Sequence, residues 1–233
     1  MRLSDFEIFY LNLRRRPERK QAIEQQLRRL GLYQQAHYVE AVDGQALPES
    51  TELNERIRRF KTMARRRERI LGRIGCLESH LGILQEAIRL GLDRILIIED
   101  DCVFLPEIDH NWSFHPPPGA KMIYFGGLFW KQQPEPSIQT GEWVQINRKH
   151  LKLATTICYA IIGKQNIRDI YQTLTQARPS AIDLLYINHI QNQGHCYVIN
   201  PVVCLQSDQF VSDVSNYGET TPSKPYRNSY TYL

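Results

Sequence analysis

Short apolar runs alternate with amphipathic segments along most of the chain. Runs of β-branched, aliphatic and aromatic residues predict buried strands at 7–13, 36–42, 94–98, 122–125, 157–162, 196–199 and 202–205. Apolar residues at helical spacing, with Pro17 at one start and Gly31 and Gly91 at two ends, predict helices over 17–30, 76–90, 167–174 and 182–190. Residues 47–73 are predicted to be helical or irregular.

This alternation predicts an α/β fold. Its sheet would be largely parallel and covered by helices on both faces, with ligands bound at the carboxyl ends of the strands. At 233 residues the chain fits one domain. We expect this domain to span 1–214. Residues 215–233 are polar and without periodicity, and we expect them to form an extended tail.

Composition excludes few classes. The chain is 42% hydrophobic and 23% charged, which is typical of a soluble globular protein. Its five cysteines include no C-x-x-C pair and indicate reduced, buried thiols in a cytosolic protein. The apolar run at 7–13 is too short for a signal peptide or a membrane span, so we expect a cytoplasmic protein.

The positive charge is concentrated between Arg56 and Arg73. This segment could be a solvated helical face, a clamp on a phosphate group, or a surface that meets anionic lipid or nucleic acid. The solvated face is the default. Nucleic acid is not expected, because Phe60 is the one aromatic residue among the arginines. Peripheral contact with an anionic membrane, at the inner membrane face, is favoured over nucleic-acid binding.

Three carboxylates, Glu99, Asp100 and Asp101, follow directly on the strand at 94–98. Adjacent like charges raise one another's pKa unless a cation neutralises them. Oxygen ligands select hard ions such as Mn²⁺ or Mg²⁺, which often bridge to substrate phosphates. The alternative is that these residues are solvated at a strand end.

Other chemistries have less support. The sequence contains no G-x-x-x-x-G-K-[ST], G-x-G-x-x-G, G-x-S-x-G or H-E-x-x-H motif. Cys76 with His80, and His195 with Cys196, match no usual zinc-finger spacing, so no structural zinc is expected.

Read in order, the segments FYLNLRRRPERK, YVEAVDGQAL, GRIGCLESHLGILQEAI, ILIIEDDCVFL, TICYAII and AIDLL resemble glycosyltransferase family 25. That family includes bacterial lipopolysaccharide galactosyltransferases and collagen galactosyltransferases. The resemblance implies a GT-A-type, Rossmann-like mixed sheet and a UDP-sugar donor, usually UDP-galactose. It also implies transfer with inversion to a glycan, glycolipid or protein acceptor.

The resemblance also assigns residues. The N-L-x-R-R-x-x-R start falls on Asn12, Leu13, Arg15, Arg16 and Arg19, which would lie near the nucleotide. The G-C-x-x-S-H signature falls on Gly75, Cys76, Ser79 and His80. A helix that begins there would offer free N–H groups to phosphate, although Ser79 and His80 could instead cap and pack the helix. Arg73 stands where relatives often have an acidic residue.

The metal is assigned to Asp101, with Glu99 or Asp100 helping, against the donor diphosphate. The resemblance selects Asp183 as the catalytic base. An ordinary first-turn aspartate that complements the helix dipole would explain Asp183 equally simply, and Asp208 and Asp213 are competitors. Two other functions stay open: a catalytically silent nucleotide-sugar-binding or scaffold protein, and a receiver-like or phosphohydrolase domain.

Overall fold

The computed structural model describes residues 1–62, 64, 66–130, 142–147 and 151–210. Its helices are α1 (Pro17–Arg29), α2 (Thr51–Arg59), α3 (Arg67–Leu90), α4 (Lys164–Gln176) and α5 (Ile182–Leu185). Its strands are β1 (Glu7–Asn12), β2 (Ala36–Glu40), β3 (Arg94–Glu99), β4 (Cys102–Phe104), β5 (Met122–Tyr124), β6 (Leu128–Trp130), β7 (Glu142–Gln145), β8 (Lys152–Ala154), β9 (Cys158–Ile162), β10 (Cys196–Asn200) and β11 (Cys204–Gln206).

Seven strands form one mixed sheet in the order β2-β1-β3-β9-β5-β10-β7. β1 pairs in parallel with β2 and β3, and β5 pairs in parallel with β10. β9 runs antiparallel to β3 and β5, so those two strands share one direction, and β7 is antiparallel to β10. The predicted α/β fold with a mixed, largely parallel sheet is confirmed.

Helices cover both faces of this sheet, and strand alternation divides the core between them. On β1, Phe9 and Leu11 point into the core that contains residues of α3 and α4. Ile8 and Tyr10 point into the other core, which contains Ile23 and Leu27 of α1. Two separate antiparallel pairs, β4 with β11 and β6 with β8, lie outside the main sheet.

The largest difference from the sequence prediction concerns α3. This helix was predicted to begin near Gly75 and Cys76, but it begins at Arg67, which makes Gly75 an interior residue. A Cβ on Gly75 would lie 2.3 Å from Val42 O, and one on Gly44 would lie 1.8 Å from Leu71 O. The two glycines therefore allow the helix to cross the loop after β2 at backbone contact distance, and Gly75 does not mark a helix start.

Other differences are local. The predicted helix at 182–190 is α5 followed by a π-helical turn, Tyr186–Ile190. The strands β4, β6, β7 and β8, each three or four residues long, were not predicted because such runs are too short for periodicity to identify. The proposed tail at 215–233 and Asp213 lie outside the described residues. No helix in the described ranges is both long and apolar enough to cross a membrane.

Candidate functional site

A cavity of about 120 Å³ opens at the carboxyl ends of β1 and β3. It is bounded by α1, α3 and the loop after β2. The predicted site residues in its lining are Asn12, Arg15, Arg19, Ser79, His80, Glu99, Asp100 and Asp101. Residues separated by almost ninety positions in sequence therefore meet, as parallel strand ends in an open α/β sheet should.

Strand alternation divides the three consecutive carboxylates between two environments. Glu99 continues the face of Ile95 and Ile97, which is packed against α3. Asp100 turns to the other side, toward Asn12 and α1. The acidic cluster is thus two sites joined by one backbone segment.

The guanidinium of Arg19 lies within the acidic cluster. Arg19 Nη2 forms an ion pair with Asp100 and lies 3.1 Å from Asp101 Oδ2. Asn12 Nδ2 donates to Asp100 Oδ2 at 2.7 Å. All four side chains are buried. Arg19 was predicted to lie near the nucleotide, and the structure adds that it supplies positive charge to the carboxylates.

Asp101 is the least compensated of these carboxylates. Burial, followed by the charge of Glu99, raises its pKa to about 7 despite the opposing effect of Arg19. Its Oδ2 accepts a hydrogen bond from Gln206 Nε2 at 2.9 Å. Among the described residues, the buried Asp101 Oδ1 and Asn12 Oδ1 have no hydrogen-bond partner. Buried oxygens in this state are costly, and carboxylate and amide oxygens suit a hard divalent cation. The residues around Asp101 therefore fit Mn²⁺ or Mg²⁺.

Glu99 belongs to a different network. Its Oε1 lies 3.2 Å from His80 Nε2 and accepts a hydrogen bond from the Thr156 hydroxyl. Burial alone would raise the pKa of Glu99, but His80 and Thr156 outweigh burial and hold it below its ordinary value. His80 Nδ1 lies 2.8 Å from the Tyr159 hydroxyl, so both ring nitrogens have partners.

Ser79 and Gly75 support the cavity wall. Ser79 Oγ accepts from Val42 N at 2.8 Å and donates to Gly75 O at 2.7 Å. Gly75 does not line the cavity. The prediction that a helix N-terminus lies at these residues is wrong, because interior N–H groups of α3 are used within the helix. Donor contact by Ser79 itself stays a prediction.

The rim of the cavity carries a further ion pair. Arg15 Nε lies 2.6 Å from Asp43 Oδ2, and both side chains are partly exposed. Asp43 also caps the turn at Gly44–Ala46 by accepting from Gln45 N. Arg15 is thereby held at the cavity entrance.

Asp183 does not line this cavity. It occupies the first turn of α5, and Leu184 N donates to its Oδ1 at 2.8 Å. Burial is the main reason that its pKa is raised, and the charge of Glu99 raises it further, while Arg73 lowers it. The helix begins after Ala181, so Asp183 is a first-turn residue and is not the N-cap.

Sequence reasoning missed three partners of the site. Gln206 lies on β11, Thr156 precedes β9, and Tyr159 lies within it. They come from strands that are distant in sequence and carry no motif. The apolar run at 157–162 located the strand but gave no signal for its tyrosine.

Some of the predicted basic segment is paired within the fold. Arg56 pairs with Glu78, Arg67 with Glu49, and Arg73 donates to the Thr62 hydroxyl. Arg65 lies outside the described residues. Next to this segment, an open groove of about 860 Å³ runs between α2, α3 and the end of α4. Its lining combines arginines with apolar residues such as Phe60 and Leu77.

Comparison with known proteins identifies the family of this chain. The model of the family described as "Glycosyltransferase family 25 (LPS biosynthesis protein)" matches residues 6–202. A glycosyltransferase 25 family member of Drosophila melanogaster is 31% identical over 149 residues, which are 60% of this chain and 24% of that protein. Human procollagen galactosyltransferase 2 is 39% identical over 104 residues, or 42% of this chain and 16% of that protein. The chain thus spans at most about a quarter of these relatives.

A further relative and a solved structure are also similar to this chain. Human inactive glycosyltransferase 25 family member 3 is 32% identical over 101 residues, or 42% of this chain and 17% of that protein. A crystal structure of a glycosyltransferase involved in glycosylation of the major capsid of PBCV-1 aligns with a TM-score of 0.44 and 10% identity, over 83% of this chain and 80% of that one. Because the family match extends over most of the sequence, from the first strand to β10, this chain belongs to glycosyltransferase family 25.

Proposed function

We propose that this protein transfers a hexose, galactose in the first instance, from a UDP-sugar to a hydroxyl group of a glycan, glycolipid or protein, with inversion and with help from Mn²⁺ or Mg²⁺. The observation that carries this proposal is the buried, under-compensated carboxylate of Asp101 in a cavity at the strand ends. Family membership supports transfer of a sugar, and the name of the human galactosyltransferase relative supports galactose.

The residues around Asp101 would hold the metal. Asp101 Oδ1 is available, while Oδ2 stays with Gln206 and Arg19. A bound divalent ion would stabilise negative charge on the departing diphosphate. Asp100 is held by Asn12 and Arg19, so it contributes charge and orientation. Arg15 at the rim offers guanidinium donors suited to a phosphate oxygen.

Asp183 is proposed as the catalytic base. An inverting transfer in one displacement needs a carboxylate to accept the acceptor hydroxyl proton. The raised pKa of Asp183 makes it a stronger base than an exposed aspartate, and the charge of Glu99 contributes to that shift. Asp183 lies outside the cavity lining, so this role requires the acceptor hydroxyl to reach the first turn of α5. Asp208 is an exposed competitor.

A membrane-associated acceptor would suit the groove beside α2. Arg58 and Arg59 are exposed on this helix, and the groove beneath them is floored by Phe60, Ile74 and Leu77. Basic side chains above apolar surface match the headgroups and upper acyl region of an anionic leaflet. We include peripheral contact with such a membrane, on the cytoplasmic side, in the proposal.

The deciding experiment is a panel of UDP-sugars and GDP-sugars with and without Mn²⁺, read by thermal stabilisation and by slow donor hydrolysis. We expect UDP-galactose with Mn²⁺ to give the largest stabilisation, and Asp101→Asn to remove the part that depends on Mn²⁺. Donor binding by Asp101→Asn that still increases with Mn²⁺ as it does in the unaltered protein would refute the metal assignment. Asp109→Asn is the matched control, because that aspartate is exposed and does not line the cavity.

The alternative is a catalytically silent member that keeps the nucleotide site. The similarity to a human relative named as inactive motivates it. In that case the donor would bind and stabilise the fold, but neither hydrolysis nor transfer would follow with any acceptor. The turnover arm of the same panel separates the two functions.

A further inference from the structure

A second group of potential metal ligands lies beside the acidic cluster. It consists of Cys76, His80 and Glu99, whose ligand atoms all lie within 4.8 Å of one another. Cys76 and His80 are four residues apart on α3, so they share one face of the helix. Glu99 reaches the same place from the end of β3, and all three line the cavity.

The spacing is close to that of a tetrahedral zinc site. With Zn–N and Zn–O bonds of about 2.0–2.2 Å, the N···O edge of a tetrahedron is about 3.3–3.5 Å. His80 Nε2 and Glu99 Oε1 are 3.2 Å apart. These two ligand atoms are thus about 0.1–0.3 Å closer than that edge. The Cys76 thiol, within 4.8 Å of both, completes three ligands after a side-chain adjustment.

The surroundings of His80 and Glu99 are those expected around metal ligands. The second ring nitrogen of His80 lies 2.8 Å from the Tyr159 hydroxyl, which lies 2.9 Å from that of Tyr186. A histidine that binds metal through one nitrogen normally has the other fixed by such a hydrogen bond. The Thr156 hydroxyl donates to Glu99 Oε1, the same oxygen that faces His80 Nε2, and so holds the carboxylate in place.

Charge also favours a cation here. Burial raises the pKa of the Cys76 thiol, and Glu99, Asp183, Asp101 and Asp100 raise it further. These four carboxylates create a negative potential at the sulfur atom. A divalent ion would lower that potential and allow the thiol to release its proton on binding.

We propose that Cys76, His80 and Glu99 form a three-ligand site for Zn²⁺ or Cd²⁺, with the fourth position open to the cavity. Sulfur and imidazole ligands select these softer ions, whereas the oxygens around Asp101 select Mn²⁺ or Mg²⁺. No structural zinc was expected from the sequence, because Cys76 and His80 match no usual zinc-finger spacing. The third ligand, Glu99, comes from β3, and only the fold brings it to this pair on α3. Zinc bound here would also obstruct the donor, a consequence that rests on the proposed function, whereas the binding itself does not.

The test is titration of the reduced, metal-free protein with Cd²⁺, followed by the cadmium–thiolate charge-transfer absorbance. We expect a single equivalent to bind, Zn²⁺ to displace it, and Cys76→Ser to abolish the absorbance. Tyr159→Phe keeps the ring but removes the hydroxyl, and should weaken binding about 10–100-fold. This variant tests the site through a residue that does not touch the ion.

The control tests a second group of potential metal ligands among the described residues, the buried thiols of Cys102, Cys158 and Cys204. Cys204→Ser should leave the Cd²⁺ absorbance and affinity unchanged. Loss of the absorbance in Cys204→Ser, its persistence in Cys76→Ser, or no saturable binding by the unaltered protein would each overturn the proposal. Circular dichroism of every variant establishes that the fold is retained. Donor binding is not measured, so failure of this test is distinct from failure of the proposed function.

Discussion

Replacing Asp101 with asparagine should stabilise the metal-free protein while it removes metal-dependent donor binding. Asparagine keeps the shape of the side chain and can still accept from Gln206 Nε2, but it carries no charge. The carboxylate it replaces is buried, and burial and Glu99 together raise its pKa to about 7. The ionised form is therefore the unfavourable one in the folded protein.

The magnitude follows from linkage. The pKa rises from 3.8 in the reference state to about 7 in the fold, a difference of about 3 pH units at about 1.4 kcal/mol per unit. The folded state holds this proton more tightly than the unfolded state, so stability falls as pH rises from about 4 to about 7. The full cost above pH 7 is on the order of 4 kcal/mol, and more than half of it develops between pH 5 and pH 8.

The assay is urea unfolding in EDTA at pH 5, 6, 7 and 8, with the exposed Asp208→Asn as control. The advantage of Asp101→Asn in free energy of unfolding should grow by roughly 2–3 kcal/mol from pH 5 to pH 8, and the control should show no such trend. Saturating Mn²⁺ should then stabilise the unaltered protein but not Asp101→Asn. A difference that is independent of pH, or a destabilised Asp101→Asn at pH 8, would refute this account of the acidic cluster.

Three further predictions concern other parts of the molecule. Asp183→Asn should lower the rate of transfer by about two to four orders of magnitude, with donor affinity retained in a binding assay. Lost stability with normal turnover would instead show that Asp183 only stabilises the first turn of α5. Converting Arg58 and Arg59 to glutamine should weaken binding to phosphatidylserine vesicles by about 2 kcal/mol, about 30-fold, with turnover on a soluble acceptor unchanged; unchanged vesicle binding would exclude this surface. Gly75→Ala should destabilise the fold by about 1–3 kcal/mol through overlap with the loop after β2. Gly82→Ala in the same helix meets nothing within 4 Å and should stabilise it by about 1 kcal/mol, so equal effects would contradict the close-crossing explanation.

Much of the fold could be read from the sequence because its central strands are fully buried. A strand such as β3 is an uninterrupted apolar run, which identifies it without knowledge of its neighbours. The start of α3 could not be found in this way. Gly72 and Gly75 resemble a helix boundary in the sequence. Gly75 is instead required because the backbone of the loop after β2 lies at contact distance, which only the three-dimensional structure shows.

Most of the predicted residues line one cavity, although Gly75 and Asp183 do not, and their arrangement within it could not be predicted. Position at strand ends brought Asn12 and the acidic cluster together, as the sheet topology requires. The alternation of side chains along β3 could have indicated that Glu99 and Asp100 face opposite sides. No such signal showed that Arg19 would lie among these carboxylates. Hydrophobic periodicity identifies the buried face of a helix, but it does not show which residue contacts a distant strand.

The division of the acidic cluster gives the cavity two chemically different halves. On the α1 side, Arg19 offsets much of the charge of Asp100 and leaves Asp101 short of one partner. On the α3 side, Glu99 is paired with a histidine whose ring is fixed from behind by Tyr159. Because hard oxygen ligands and a thiol–imidazole pair select different ions, the two halves would respond oppositely to metals. Mn²⁺ at the first half would assist the donor, and Zn²⁺ at the second would obstruct it. A protein with both halves intact should therefore lose Mn²⁺-supported donor binding when Zn²⁺ is added, and Cys76→Ser should restore it.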